Sequence, residues 1–153
     1  MIRSDAKSWP PHRYLRTFHR RLLELRRLLV RDIEIADGPA SYRFRCETVR
    51  EFNRCLKVFS KEPGTVAWIS SRVKDGEIFY DIGANIGVYT ILAARHVAPH
   101  GKVFAFEPHA ANFARLIDNV IRNRLQDVVT PCSAALDAEE GFAPFTYASA
   151  DAG

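Results

Sequence analysis

The sequence predicts an α/β domain with a parallel sheet, preceded by a helix and a β-hairpin/helix extension. Three observations carry this. Short apolar runs alternate with helical patterns from residue 78 onward, which is the order of strands joined by crossover helices. The run "IFYDI" is apolar on both faces except near its end, as in a strand covered on both sides. The turn after it, "GANIG", puts glycines where a strand must bend sharply into a helix.

The elements follow in order. Residues 1–10 read as a frayed end closed by Pro10-Pro11. Leu15, Phe18, Leu22, Leu25 and Leu29 then fall at steps of three and four, the spacing of one helix face, with arginines between them. "DIEIADGPASYRFRC" alternates on both sides of Asp37-Gly38-Pro39 and predicts a hairpin. Thr48 and Glu51 have capping-box spacing and open a helix through about Phe59. Glu62-Pro63-Gly64 breaks it, and "TVAWISSRV" is a short helix ending before Lys74-Asp75-Gly76. Ile78 to Ile82 is a strand, Gly87 to about His96 a helix, and Lys102 to Glu107 a second strand. Pro108 to about Arg124 is a second helix, Val128 to Leu136 a third strand, and "GFAPFTYA" reads as one more. The organisation is thus a basic amphipathic helix over 1–31, a hairpin and helical lead-in over 32–76, and an α/β domain over 77–153.

The chain has 153 residues, 47% apolar and 26% charged, a globular composition of one domain's length. Its net charge of +4 is unevenly spread. Residues 1–31 carry nine Lys/Arg against Asp5 and Glu24, and the remainder carries thirteen against sixteen acids. A basic arm can attract anionic headgroups, but its leucine stripe is expected to pack on its own domain rather than on a membrane. The acidic remainder carries no nucleic-acid footprint. Cys46, Cys55 and Cys132 form no disulfide framework and no zinc signature. With no signal peptide and no apolar run of about 20 residues, the expectation is a soluble, cytoplasmic protein.

Ligands of a parallel sheet bind beyond the carboxyl ends of its strands. Two stretches point there. In "DIGANIG", Gly83 makes the tight turn, Asn85 carries an amide, and Gly87 lets a ligand or the strand approach the backbone. The following helix N-terminus favours an anionic group. In "FEP", Glu107 is placed to accept hydrogen bonds from both hydroxyls of a ribose, and Pro108 restricts it to an extended backbone. A dinucleotide such as NAD would call for G-x-G-x-x-G. Here the spacing is G-x-N-x-G behind Asp81, which could attract an ammonium group or cap its own loop. An amino acid joined to a nucleoside suits the set better, and S-adenosylmethionine is such a molecule. No histidine pair has metal spacing. His109 reads as a solvated first-turn residue, Cys132 as a small core residue, and Tyr89 and Trp68 as packing.

"YDIGANIGVYTILAA", "GKVFAFEPHAANFARLIDNVIRN" and "SAALD", with "KEPGTVAWI" upstream, together resemble the FkbM-type methyltransferases over roughly residues 45–145. The resemblance implies a Rossmann-like class I methyltransferase fold. It also implies methyl transfer from S-adenosylmethionine to a hydroxyl of a sugar, polyketide or similar metabolite. Carried onto this chain, Asp81, Gly83, Ala84, Asn85 and Gly87 match the cofactor loop, and Glu107 with Pro108 the ribose acid. Ser133 and Ala134, in the stretch Ser133 to Ala135, would approach the adenine. The family continues with a fourth strand bearing "D-x-E-G" and with acceptor-pocket strands that are not found in this sequence. The expectation is therefore a sheet stopped after its third parallel strand, in the 3-2-1 half order, forming a cofactor-binding half. Such a half is expected to be inactive alone, with no catalytic base named and an open sheet edge able to self-associate. A non-catalytic remnant and an NAD(P)-linked oxidoreductase are the rival readings.

Overall fold

The structure is a computed structural model that describes residues 18, 20–22, 24–25, 31–37, 40–142 and 144–146. It has two compact units, Met1–Arg31 and Asp32–Gly153. In the first, the described residues between 18 and 25 are helical, and Arg20 Nε donates to Glu24 Oε1 at 2.9 Å. The rest of the expected helix and the expected frayed end lie outside the described residues, as do Gly38 and Pro39 of the hairpin turn.

The second unit opens with β1 (Arg31–Asp37) and β2 (Ala40–Cys46), which pair as a two-stranded sheet. The capping box then forms as the sequence predicts, at the start of α1 (Val49–Leu56). The Thr48 hydroxyl accepts from Glu51 N–H at 3.1 Å, and Glu51 Oε2 accepts from Thr48 N–H at 2.7 Å. The predicted helix through Phe59 is broken at Lys57, and Val58–Lys61 form a separate turn, α2. α3 (Pro63–Arg72) starts on Pro63, whose missing N–H is no loss in a first helical turn.

Three parallel strands follow: β3 (Ile78–Ile82), β4 (Lys102–Phe106) and β5 (Val129–Cys132), ordered β3-β4-β5. Asp81 is in register with Ala105, and Phe106 with Cys132. α4 (Val88–Val97) joins β3 to β4, and α5 (Ala110–Arg122) joins β4 to β5. Two crossovers of one hand in one direction put both helices on the same face. There Val103, Ala105, Ile91, Leu92, Val97 and Leu116 are buried as the core.

The other sheet face corrects the reading of strands covered on both sides. Ile78, Tyr80 and Ile82 alternate outward and are 59–66% exposed, with Tyr80 stacked 5.5 Å from Phe104. Among the described residues β3 pairs with β4 alone. The third strand is also shorter than expected: β5 ends at Cys132, and Ser133 to Leu136 have no regular structure. Cys132 is half-buried rather than a core residue. Of the extra strand expected in "GFAPFTYA", residues 141, 142 and 144–146 are irregular and the others lie outside the described residues.

The hairpin is held to α5 by two asparagines that act as a short strand edge. Asn123 Oδ1 accepts from Arg43 N–H at 3.0 Å, and its Nδ2 donates to Arg43 O at 2.6 Å. Asn119 Oδ1 accepts from Arg45 N–H at 2.8 Å. Nearby, the fully buried Glu51 forms an ion pair with Arg115 at 2.6 Å. One carboxylate thus caps α1 and anchors it to α5.

Candidate functional site

The turn after β3 is built from backbone conformations that few residues tolerate. Gly83 and Gly87 have φ of +79° and +86°, and Asn85 has φ of 52°. Glycine adopts such angles without a Cβ penalty, and asparagine is among the few other residues found there. Gly83 and Ala84 N–H both donate to Phe106 O at 2.9 Å, which ties the turn to the end of β4. Asn85 Oδ1 accepts from Ile86 N–H at 2.9 Å, so its amide serves the loop. Asn119 Nδ2 donates to Ile86 O at 2.9 Å from α5.

The two flanking glycines do different work. A Cβ on Gly83 would meet nothing within 4 Å, so its side of the turn is open. A Cβ on Gly87 would lie 2.5 Å from Leu116 Cδ1. The approach expected at Gly87 from a ligand or the strand is instead made by helix α5.

Glu107 lies at the centre of the arrangement. Its Oε2 accepts from Asn85 N–H at 2.7 Å, across from the neighbouring strand's turn, and its Oε1 accepts from His109 N–H at 2.8 Å. The residue is 5% exposed. It clasps the loops after β3 and β4 together, and each carboxylate oxygen keeps a further lone pair. Pro108, half-buried, carries the chain from β4 toward α5. His109 is the N-cap of α5, its Nδ1 accepting from Asn112 N–H at 3.3 Å, rather than a solvated first-turn residue.

Asp81 faces the helix side of the sheet, where its Oδ2 accepts from the Thr90 hydroxyl of α4. Neither ligand reading nor loop capping anticipated this partner. Burial raises its pKa, the Thr90 hydrogen bonds oppose this, and the Glu107 charge adds to it. A raised folded pKa means that the folded state holds the proton more tightly. The resulting stabilisation is full below the unfolded value of about 3.9 and is lost as pH rises through the folded value. Asp81→Asn keeps an acceptor for Thr90 and removes the buried charge. It is expected to melt higher than the native chain at pH 7, with the advantage vanishing toward pH 3. A lower melting temperature at pH 7 would show that the charge is not strained.

Ser133 and Ala134 stand exposed just beyond β5, at the same end of the sheet, and Ala134 N–H donates to Cys132 O at 3.0 Å. The same Cys132 carbonyl accepts from Glu107 N–H, at 3.0 Å.

A cleft of about 260 Å³ opens beside the turn, with Asp81 and Gly83 to Asn85 on one wall. Arg54, Lys61 and Glu62 of the lead-in helices line the other, with Tyr89 at the start of α4. Sequence reading missed these four. α1 carries its cations on a helix whose docking depends on the Glu51–Arg115 pair, 64 positions apart, and no local pattern reports that. Arg54 Nε is buried there with no hydrogen-bond partner among the described residues. Burial and the neighbouring Glu62 carboxylate push the Tyr89 phenol up to about 12. Tyr89 therefore borders the cleft besides packing, and Trp68, 54% exposed, lies 6.1 Å from the Phe79 ring. Among the described residues no group of His, Cys, Asp or Glu could hold a metal ion. Nor, among them, is any helix long and apolar enough to cross a membrane.

Residues 81–152 match the methyltransferase FkbM domain. Among curated proteins, the chain is 36% identical over 67 residues to the 31-O-demethyl-FK506 methyltransferase FkbM of Streptomyces tacrolimicus. That match covers 43% of this chain and 25% of the relative. It is 26% identical over 99 residues to the hexuronic acid methyltransferase AglP of Haloferax volcanii, covering 65% of this chain and 38% of the relative. Among solved structures it is similar to M. jannaschii TYW2 in complex with AdoMet, at 19% identity and a TM-score of 0.47, covering 65% of this chain and 42% of that one. The chain thus spans about a quarter to two fifths of the length of the relatives it matches. The glycine turn, the acid that clasps it and the match to the methyltransferase FkbM domain all fall on the same segment, residues 81–152.

Proposed function

We propose that the chain contributes the cofactor-binding part of an S-adenosylmethionine-dependent O-methyltransferase. The observation that carries this reading is the Glu107 carboxylate closed onto Asn85 N–H. It brings the acid and the glycine turn into one constellation within a segment matched to a methyltransferase domain. The residues fit the cofactor's groups. The cleft holds an orphaned Arg54 Nε and Lys61 for a carboxylate, and Glu62 and Asp81 for an ammonium. Gly83 leaves open space where a side chain would stand. Glu107 keeps acceptor capacity for ribose hydroxyls.

The bound cofactor would supply an electrophilic methyl group on a sulfonium sulfur. The part played by this chain is holding and orienting. Carboxyl ends of β3 and β4, fixed by the Phe106 carbonyl and the Glu107 clasp, set two binding loops at one distance. Such alignment is itself a large share of catalysis in bimolecular transfer. Two curated relatives are named for a 31-O-demethyl compound and for hexuronic acid. They support a hydroxyl of a sugar or similar metabolite as the acceptor class.

Calorimetric titration with S-adenosylhomocysteine and, separately, NAD tests the reading. Saturable binding of the first and none of the second is expected. Arg54→Gln should weaken it about tenfold, the loss of one charge-assisted hydrogen bond. NAD binding without S-adenosylhomocysteine binding would transfer the site to dinucleotide chemistry.

A further inference from the structure

We propose a second ligand site, for a phosphate-bearing small molecule, between β2 and the C-terminal end of α5. Arg43, Arg95, Arg122 and Arg124 converge on an open cleft of about 520 Å³, with Ser41 and Asn123 between them. No acidic residue lines it. Two of the guanidinium groups have carboxylate neighbours on β1, outside the lining. Arg122 Nη1 is 3.0 Å from Asp32 Oδ2, and Arg43 Nε is 3.7 Å from Glu34 Oε2. Among the described residues Arg95 donates to Asn123 O alone, at 3.4 Å, and Arg124 has no ion pair. Arg122 Nε is buried and lacks an acceptor among the described residues. The cleft therefore holds more positive charge than its surroundings neutralise.

Its walls are fixed. Asn123 bonds both the N–H and the carbonyl of Arg43, so the hairpin cannot drift from α5 without breaking two hydrogen bonds. The backbone supplies a further observation. Arg124 has φ of 57°, the left-handed conformation just past the helix C-cap. Glycine or asparagine usually stands there, because other residues carry a Cβ penalty. The helix close itself calls for that backbone, with Arg124 N–H donating to Ile121 O at 3.0 Å and Leu125 N–H to Val120 O at 3.1 Å, and the arginine holds the place at the cost of its Cβ.

The chemistry selects phosphate. Guanidinium forks match phosphate oxygens in pairs, and several around one cleft suit a ligand with more than one negative charge. The volume is that of a small-molecule site rather than a single ion. The cleft is not part of the cofactor site. α4 and α5 run opposite to the strands, so Arg95 and Arg122 to Arg124 lie at the far end of the sheet from Gly83 and Glu107. The 13-residue α5 alone spans about 20 Å. The inference therefore stands apart from the methyltransferase reading.

The test is calorimetry of the full chain with inorganic pyrophosphate at low ionic strength. Single-site binding is expected, at least tenfold weaker in Arg95→Gln and in Arg124→Gly, and unchanged in Arg72→Gln on α3. Arg124→Gly should also melt a few degrees higher, since glycine fits the left-handed backbone. Higher stability with lower affinity cannot come from damage to the fold. Absence of saturable binding, or equal weakening by Arg72→Gln, would overturn the site. Binding of a short single-stranded RNA without binding of pyrophosphate would overturn its assignment to a small ligand.

Discussion

Glu107→Ala should both loosen the domain and empty the cofactor cleft. The substitution leaves Asn85 N–H and His109 N–H without their acceptor. Hydrogen bonds to a charged group contribute about 1.5–3 kcal/mol each. Because both amides are half-buried and regain some water, a total near 2–4 kcal/mol is the reasonable expectation. For a chain of this size that is a fall of about 5–15 °C in melting temperature, a large part of a domain's margin of about 5–15 kcal/mol. Affinity for S-adenosylhomocysteine should fall about ten- to a hundredfold. Glu107→Gln separates the two effects, since its carbonyl still accepts one of the two bonds while the charge is gone. It should keep roughly half of the lost stability and still bind weakly. Calorimetric melting with ligand titration reads both. An unchanged melting temperature in Glu107→Ala would refute the clasp, and unchanged affinity in both variants would remove Glu107 from the ligand site.

Gly101→Ala should be the more damaging glycine substitution, although no ligand role attaches to it. A methyl group there would fall on the Glu77 carbonyl oxygen and lie 2.6 Å from Val97 Cβ and 2.7 Å from the Val97 carbonyl oxygen. These carbonyls are committed. Glu77 O accepts from Lys102 N–H at 3.0 Å, and Val97 O from Gly101 N–H at 2.8 Å. The backbone cannot yield without parting the start of β4 from the start of β3. Overpacking of a tight site costs about 1–3 kcal/mol, and the upper end applies where the obstacle is main chain. A fall of roughly 6–12 °C follows. Gly83→Ala should behave in the opposite way. Its positive φ adds about 1–2 kcal/mol of strain, but nothing lies within 4 Å, so the fold survives and ligand binding is lost. If thermal melting ranks Gly83→Ala below Gly101→Ala in stability, the packing account of Gly101 fails.

Much of the architecture is legible in the sequence alone. Alternation in "RDIEIAD" and "ASYRFRC", the Thr48–Glu51 box and the strand-helix order from Ile78 to Cys132 are local signals, decided by neighbours within a few residues. Element ends were less legible. The helix expected through Phe59 breaks at Lys57, and the strand expected to Leu136 stops at Cys132, because such ends depend on what packs beside them. Asp81, Gly83, Asn85, Gly87 and Glu107 were visible as a set, since a strand-turn-helix followed by an acid at the next strand end is a pattern along the chain.

By itself, then, the sequence determined the α/β order, the positive-φ turn and the residues gathered at the carboxyl ends of β3 and β4. Their periodicity and spacing are properties of nearby residues. Only the tertiary structure decided that Glu107 binds Asn85 N–H, that Asp81 turns to Thr90, and that Leu116 is what Gly87 makes room for. It alone put Arg54 and Tyr89 in one cleft and four arginines, drawn from positions 43 to 124, in another. Each of these depends on residues many positions apart meeting when the sheet and its helices close, and no spacing along the chain encodes such a meeting.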